Sequence, residues 1–203
     1  MKRLLFALCL TLTVLLSPAL QAQNLTPEDR EKAVKYLEKT RAALLEATKG
    51  LSEAQWSFKQ APDRWSVAEV TEHIAAAEDF LMGMILEKVM KAPARTEADD
   101  VKALDELVLQ RIPDRTSKVQ APEPLRPSNK FGSPKESLKH FTESRAKTIE
   151  FVKITKDLRQ HATDSPLGKK LDGYQWVLFI GAHSERHTKQ LNEVKADPNF
   201  PKK

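Results

Sequence analysis

His183 and His187 stand four residues apart in GAHSERHTKQLNEV (residues 181–194), within a 203-residue chain that has five histidines. On an α-helix, residues i and i+4 share a face about 6 Å apart, close enough for two imidazoles to hold one metal ion. Trp176 and Ile180 precede the pair at helical spacing and Leu191 and Val194 follow it, so the histidines interrupt an apolar stripe and should point inward. A buried polar group without a partner costs about 1–3 kcal/mol. Two readings are open on these residues: ordinary boundary histidines bonded to backbone or water, or two arms of a metal site that needs further ligands.

His73 adds weight to the second reading. It lies between Val70 and Ala77 on the apolar stripe of another helix, again in place of an apolar residue. His140 sits two positions from Leu138, on the opposite side of its helix, and is expected to face water; His161 lies in a polar stretch. HSERH lacks the glutamate of an HExxH protease and has Arg186 where an HxxEH enzyme carries glutamate. Glu185 falls on the other face of the helix. The single cysteine, Cys9, precedes the expected mature chain, so a metal would depend on histidines and carboxylates.

Three neutral imidazoles leave a divalent cation its full charge and an open position, the arrangement of a catalytic rather than a structural site. Such a cation lowers the pKa of bound water towards about 7, or polarises a thiol or carbonyl. Zinc and nickel suit three imidazoles, and the sequence does not choose between them. Gln190, three residues after His187, is placed to support the site or meet a substrate, or is a partly exposed helix glutamine. Trp176 and Phe80 are placed to wall a pocket or to serve as plain core. Glu69 is explained by helix capping.

The elements that must carry these residues read as four strong helices and one weak one. The first opens at Thr26-Pro27-Glu28-Asp29, carries Ala33, Leu37, Thr40, Leu44 and Ala47 on one stripe, and stops at Gly50. The second opens at the capping box Ser66-Val67-Ala68-Glu69, carries Val70, His73, Ala77, Phe80 and Met84, and runs to about Lys91. The third opens at Ser133-Pro134-Lys135-Glu136, also read as a capping box, with Leu138, Phe141, Arg145, Ile149 and Val152 inward. The fourth begins near Asp172 and continues to about Lys195, where Pro198 and Pro201 follow. Residues 92–133 form a long, proline-bearing connection with a short helix expected at 98–112. Its length suggests a crossover that leaves helices two and three parallel. No run alternates with period two long enough to predict a strand.

MKRLLFALCLTLTVLLSPALQAQ opens the chain with a basic start, an apolar run over residues 4–16 and a small residue near Ala22. That is the layout of a secretory signal peptide, residues 1–22, and the run is short against the roughly 20 residues a membrane span needs. The expected product is exported, periplasmic or secreted, with no stable membrane span after cleavage. Residues 23–203 then form one domain. Loss of Lys2 and Arg3 takes the formal charge from +5 to +3, 31 basic against 28 acidic residues. No basic cluster is interleaved with aromatics, which argues against nucleic acid as a partner.

RWSVAEVTEHIAAAEDFL (residues 64–81) together with GAHSERHTKQLNEV resembles the DinB/YfiT-like superfamily of proposed metalloenzymes. The resemblance spans residues 25–194, and Trp65-Ser66 matches the family's helix start. It implies an all-α four-helix bundle of up-down-down-up topology with a long crossover between helices 2 and 3. It also implies a metal held by His73 from the second helix and His183 and His187 from the fourth. Homodimers are implied by the same likeness alone. The better understood members are thiol-dependent transferases and isomerases of the cytosol, and an exported chain would be separated from those thiols. Two functions therefore stand side by side: a metal-dependent hydrolase or group transferase acting on a small molecule, and a non-catalytic exported bundle that binds a ligand or partner.

Overall fold

The structure is a computed structural model and describes residues 25–95 and 100–202; the expected signal peptide lies outside the described residues. Each long helix starts where a side chain can satisfy orphaned backbone N–H groups. Helix α1 spans Pro27–Thr48, with the Thr26 hydroxyl accepting from Asp29 N–H. A short helix, α2 (Glu53–Ser57), has a full Ser52/Gln55 capping box. It has five residues, too few for a periodic stripe to reveal it. Helix α3 spans Val67–Met84 behind the Ser66/Glu69 box and widens into a π-helical turn at Ile85–Val89. Helix α4 spans Val101–Arg111, within the weak helix expected from the sequence, and a 3₁₀ turn follows at Glu123–Leu125.

Helix α5 spans Pro134–Ile154 and helix α6 spans Gly173–Lys195. At α6 the Asp172/Gln175 box is complete. At α5 only its first half forms: Ser133 accepts from Glu136 N–H, while no return bond from the Glu136 side chain is made. Between α5 and α6, β1 (Ala162–Asp164) pairs antiparallel with β2 (Lys170–Asp172), Thr163 opposite Leu171. These strands have three residues each, below the length at which alternation could be read.

The long helices bury most of the expected stripe positions: Ala33, Leu37 and Leu44 of α1, Val70 and Ala77 of α3, Phe141 and Val152 of α5, and Ile180 and Leu191 of α6 are buried, whereas Phe80 of α3 is exposed. Ile74 and Val177, off those stripes, are buried as well. Tyr174 Oη donates to Asp29 O at one end of the α1–α6 contact and Lys195 reaches Ala47 O at the other, so these two helices run the same way. Arg30 reaches Thr155 O while Arg145 reaches Leu37 O, so α1 and α5 run oppositely. The starts of α3 and α5 line one groove through Glu69, Glu72, Ser133 and Ser137.

The connection between α3 and α5 is what closes the face between α3 and α6. It leaves α3 beside the hairpin, where Arg95 N–H bonds Gln160 O. Helix α4 then packs on α6, with Gln175 donating to Val101 O. Arg186 of α6 holds the carbonyls of Ile112, Asp114 and Ser117. Leu125 crosses to α3, burying Ala76 and Ala77. At the base of the bundle, buried Arg159 is ringed by Asp105 and Asp172, with Asp29 at 3.5 Å, and lies over the Tyr174 ring. Among the described residues, no helix is long and apolar enough to cross a membrane.

Candidate metal centre

His73, in the first half of α3, is buried, and its ring meets those of His183 and His187 from α6. The His73 Nε2 atom lies 3.3 Å from His183 Nε2 and 3.2 Å from His187 Nε2. One ring nitrogen from each residue falls within 4.8 Å of the others, and no carboxylate of the described residues joins that set. His183 and His187 are half-buried, so the cluster sits inside the bundle wall with one side reachable from solvent. Capping sets this alignment. The Ser66/Glu69 box fixes where α3 begins and the Asp172/Gln175 box fixes where α6 begins, and with them the register of the facing helices.

The hydrogen bonds decide which nitrogens carry protons. His73 Nδ1 is 2.8 Å from Leu125 O, and a carbonyl only accepts, so Nδ1 holds the hydrogen and Nε2 presents a lone pair. His187 Nδ1 is 2.8 Å from Gln190 Oε1. The same oxygen lies 3.4 Å from Arg115 Nη1, and a guanidinium only donates, so the Gln190 atom is an acceptor and His187 Nδ1 must donate to it. His187 Nε2 is then also a lone pair, facing that of His73. Two acceptors 3.2 Å apart repel unless a cation lies between them. The donor set fits a divalent cation bound by neutral imidazoles whose other nitrogens are anchored.

The surroundings favour neutrality. Burial lowers the His73 pKa against the opposing effect of the Leu125 bond. Burial, then the neighbouring imidazoles, holds His183 well below the usual histidine range. Burial, then His73, pushes His187 down to about 3. All three are therefore deprotonated at neutral pH and available as ligands.

Gln190 lies beside the site and bonds His187. Trp176 is buried against Phe179, its ring 5.2 Å away, as part of the core. Phe80 does not face inward: it is 48 % exposed, because the cover supplied by Leu125 and Phe131 is packed on Ala76 and Ala77. Trp65 provides the aromatic wall instead, its ring 4.9 Å from that of His73. Glu69 serves its cap and pairs with Lys59, and Glu185 turns to Tyr36 of α1 at 2.9 Å. His140 is not simply solvated; it bonds Asp79 at 2.5 Å and stacks on Phe131. His161 bonds Ala92 O.

Three participants escaped the sequence reading: the Leu125 carbonyl, Arg115 and Glu72. A backbone carbonyl has no sequence signature. Arg115 lies in a polar loop that gives no register. Glu72 beside His73 on a buried face was a visible signal, since a buried carboxylate needs donors.

The DinB superfamily profile matches residues 36–191 of the chain. The uncharacterized protein YuaE of Bacillus subtilis (strain 168) is 28 % identical over 148 residues, covering 72 % of this chain and 87 % of YuaE. The solved structure of YfiT from Bacillus subtilis superposes with a TM-score of 0.52 at 18 % identity, over 84 % of this chain and 88 % of YfiT. YfiT is described as a probable metal-dependent hydrolase with an unusual four-helix bundle topology. At that identity the likeness speaks for the fold, while the profile covers most of the chain: this protein, a four-helix bundle with three histidines gathered between α3 and α6, belongs to the DinB superfamily.

Proposed function

We propose that the chain is an exported metal-dependent enzyme, a hydrolase or group transferase of a small molecule, in which His73, His183 and His187 hold one zinc or nickel ion. The observation that carries this reading is the pair of lone pairs, on His73 and His187 Nε2, facing each other at 3.2 Å beside His183. Core histidines kept for packing would be expected to share a proton or bond outward with both nitrogens. Here Nδ1 of His73 and of His187 is anchored outward and Nε2 is directed into the cluster. The description of YfiT as a probable metal-dependent hydrolase supports the same class.

A bound divalent cation supplies Lewis-acid polarisation of a carbonyl, ester or thiol brought to it. The chain's own contribution is to keep three ligands neutral, so that the cation's charge is not cancelled, and to leave a coordination position open. Leu125 and Gln190 orient the His73 and His187 rings. Trp65 covers His73 on one side.

One observation favours the second reading, a non-catalytic binding protein: no carboxylate of the described residues joins the three histidines to serve as an acid or base. Turnover separates the two. Protein loaded with zinc or nickel is assayed on esters, amides, lactones and thiol acceptors, beside the His73→Ala/His183→Ala/His187→Ala variant. Turnover lost in the variant supports the enzyme; stoichiometric metal with no turnover on any class supports the binding protein. Export is checked by cell fractionation with and without residues 1–22, and retention of the full-length protein inside the cell contradicts it.

A further inference from the structure

The crossover between α3 and α5 does more than connect. Glu72 is buried one residue before His73, and its carboxylate accepts three consecutive backbone N–H groups: Ser128 at 2.8 Å, Asn129 at 3.1 Å and Lys130 at 2.9 Å. The turn converges on it because Asn129 adopts a positive φ of 62°, a left-handed conformation that asparagine tolerates better than most residues, and Gly132 N–H closes the turn onto Asn129 O. Three charge-assisted bonds from one side chain are a strong local anchor. Three residues upstream of that anchor, Leu125 O receives His73 Nδ1–H. Glu72 and His73 thus grip the same stretch of chain from adjacent positions.

The middle of the crossover, just past α4, is fixed on α6. Arg115 forms a two-pronged pair with Glu193, both bonds 2.6 Å, and extends Nη1 to Gln190 Oε1, the acceptor of His187 Nδ1–H. Arg186, the neighbour of His187, holds carbonyls on either side of Arg115. Both anchored imidazoles are therefore oriented by groups that the crossover supplies or fixes.

We infer that Glu72, through the Ser128–Lys130 turn, and Arg115, through Gln190, are positioning residues that make the crossover a latch on the three-histidine centre, so that metal retention and the closed crossover are one coupled equilibrium. This rests on the metal reading above. By linkage, a cation that binds only the anchored tautomers stabilises the latched crossover by as much as the latch strengthens binding. Outer partners of ligating histidines alter metal affinity by roughly 10- to 100-fold.

The test is zinc affinity by chelator competition on the purified chain, its Glu72→Gln variant and its Arg115→Ala variant, with the cobalt(II) absorption spectrum of each. Amide exchange at residues 125–130 is followed with and without zinc. The expected result is a Kd raised on the order of 10- to 100-fold in Glu72→Gln and about 10-fold in Arg115→Ala, with altered cobalt spectra in variants that still melt cooperatively. Zinc should slow exchange of the Ser128, Asn129 and Lys130 amides in the parent and lose that effect in Glu72→Gln. Should Glu72→Gln not fold, Arg115→Ala carries the test alone. Parental affinity and spectra in the folded variants, or exchange at 128–130 indifferent to zinc, would overturn the latch while leaving the metal site standing. A parent that binds no zinc, nickel or cobalt overturns both.

Discussion

The guanidinium of Arg145 on α5 meets the carboxylate of Glu78 on α3 in a two-pronged pair, at 2.8 and 2.7 Å, that solvent does not reach. Its remaining donors go to Leu37 O, Thr40 and Ser184, so one side chain binds all four long helices together, the last bond landing beside His183. Thr148 donates to the same Glu78 oxygen that receives Arg145 Nε–H.

Removing one partner strands the other in the core. Glu78→Gln or Arg145→Ala is expected to cost about 3–5 kcal/mol in urea unfolding of the metal-free protein. The paired replacement Glu78→Leu with Arg145→Met should recover most of that loss, since a hydrophobic pair of similar volume has no charges to desolvate. A single variant within 1 kcal/mol of the parent, on the scale of an exposed pair, would show the bridge to be solvated.

Two of the helical glycines, Gly83 and Gly181, carry opposite predictions. At Gly83 an added Cβ meets nothing within 4 Å, so Gly83→Ala should stabilise by about 0.5–1 kcal/mol through the helix backbone alone. At Gly181 the same methyl falls 2.8 and 2.9 Å from Tyr36 ring carbons, and that ring is tied through its hydroxyl to Glu185. Gly181→Ala should destabilise by about 1–3 kcal/mol, the helix-propensity gain notwithstanding. Urea midpoints decide both, and a stabilised Gly181→Ala would mean that α1 and α6 are less closely packed.

The neutral histidines set an acid limit. In the folded state His73, His183 and His187 have depressed pKa values, His187 reaching about 3, whereas the unfolded chain takes up protons near its ordinary value of about 6.5. Below that pH the unfolded state binds more protons than the native state, so stability is complete above about 6.5 and falls as pH drops towards the folded values. Thermal melts of the metal-free protein should show a midpoint that declines from pH 7 to pH 5. A His73→Gln/His183→Gln/His187→Gln variant should have a flatter profile over that window. Parallel profiles would contradict the assigned protonation states.

Much of this was legible before any coordinates. Thr26, Ser66, Ser133 and Asp172 each mark a helix start, because a capping side chain must sit one residue ahead of the orphaned N–H groups it serves. His73, His183 and His187 separate from His140 by helical phase and from His161 by its polar, non-helical surroundings, and the structure places the first three together. What stayed hidden depends on where the crossover passes. Phe80 shares the phase of His73 yet is exposed, because phase says which side of a helix a residue occupies and not whether another segment covers it. Leu125 acts through its carbonyl, and the Glu72 anchor depends on one left-handed backbone at Asn129. Arg145 falls on the inward stripe of its helix, but its partner Glu78 lies on another helix and no spacing links them.

Three imidazoles sharing one divalent cation must show in the metal content of the purified protein. The protein is purified without a histidine tag beside the His73→Ala/His183→Ala/His187→Ala variant, each offered zinc, nickel and manganese, dialysed and analysed for elements. About one divalent ion is expected per parent chain, and none in a variant that keeps its helical circular dichroism and cooperative melt. A parent that stays empty under all three metals, or a variant that retains the ion, would contradict the three-histidine site.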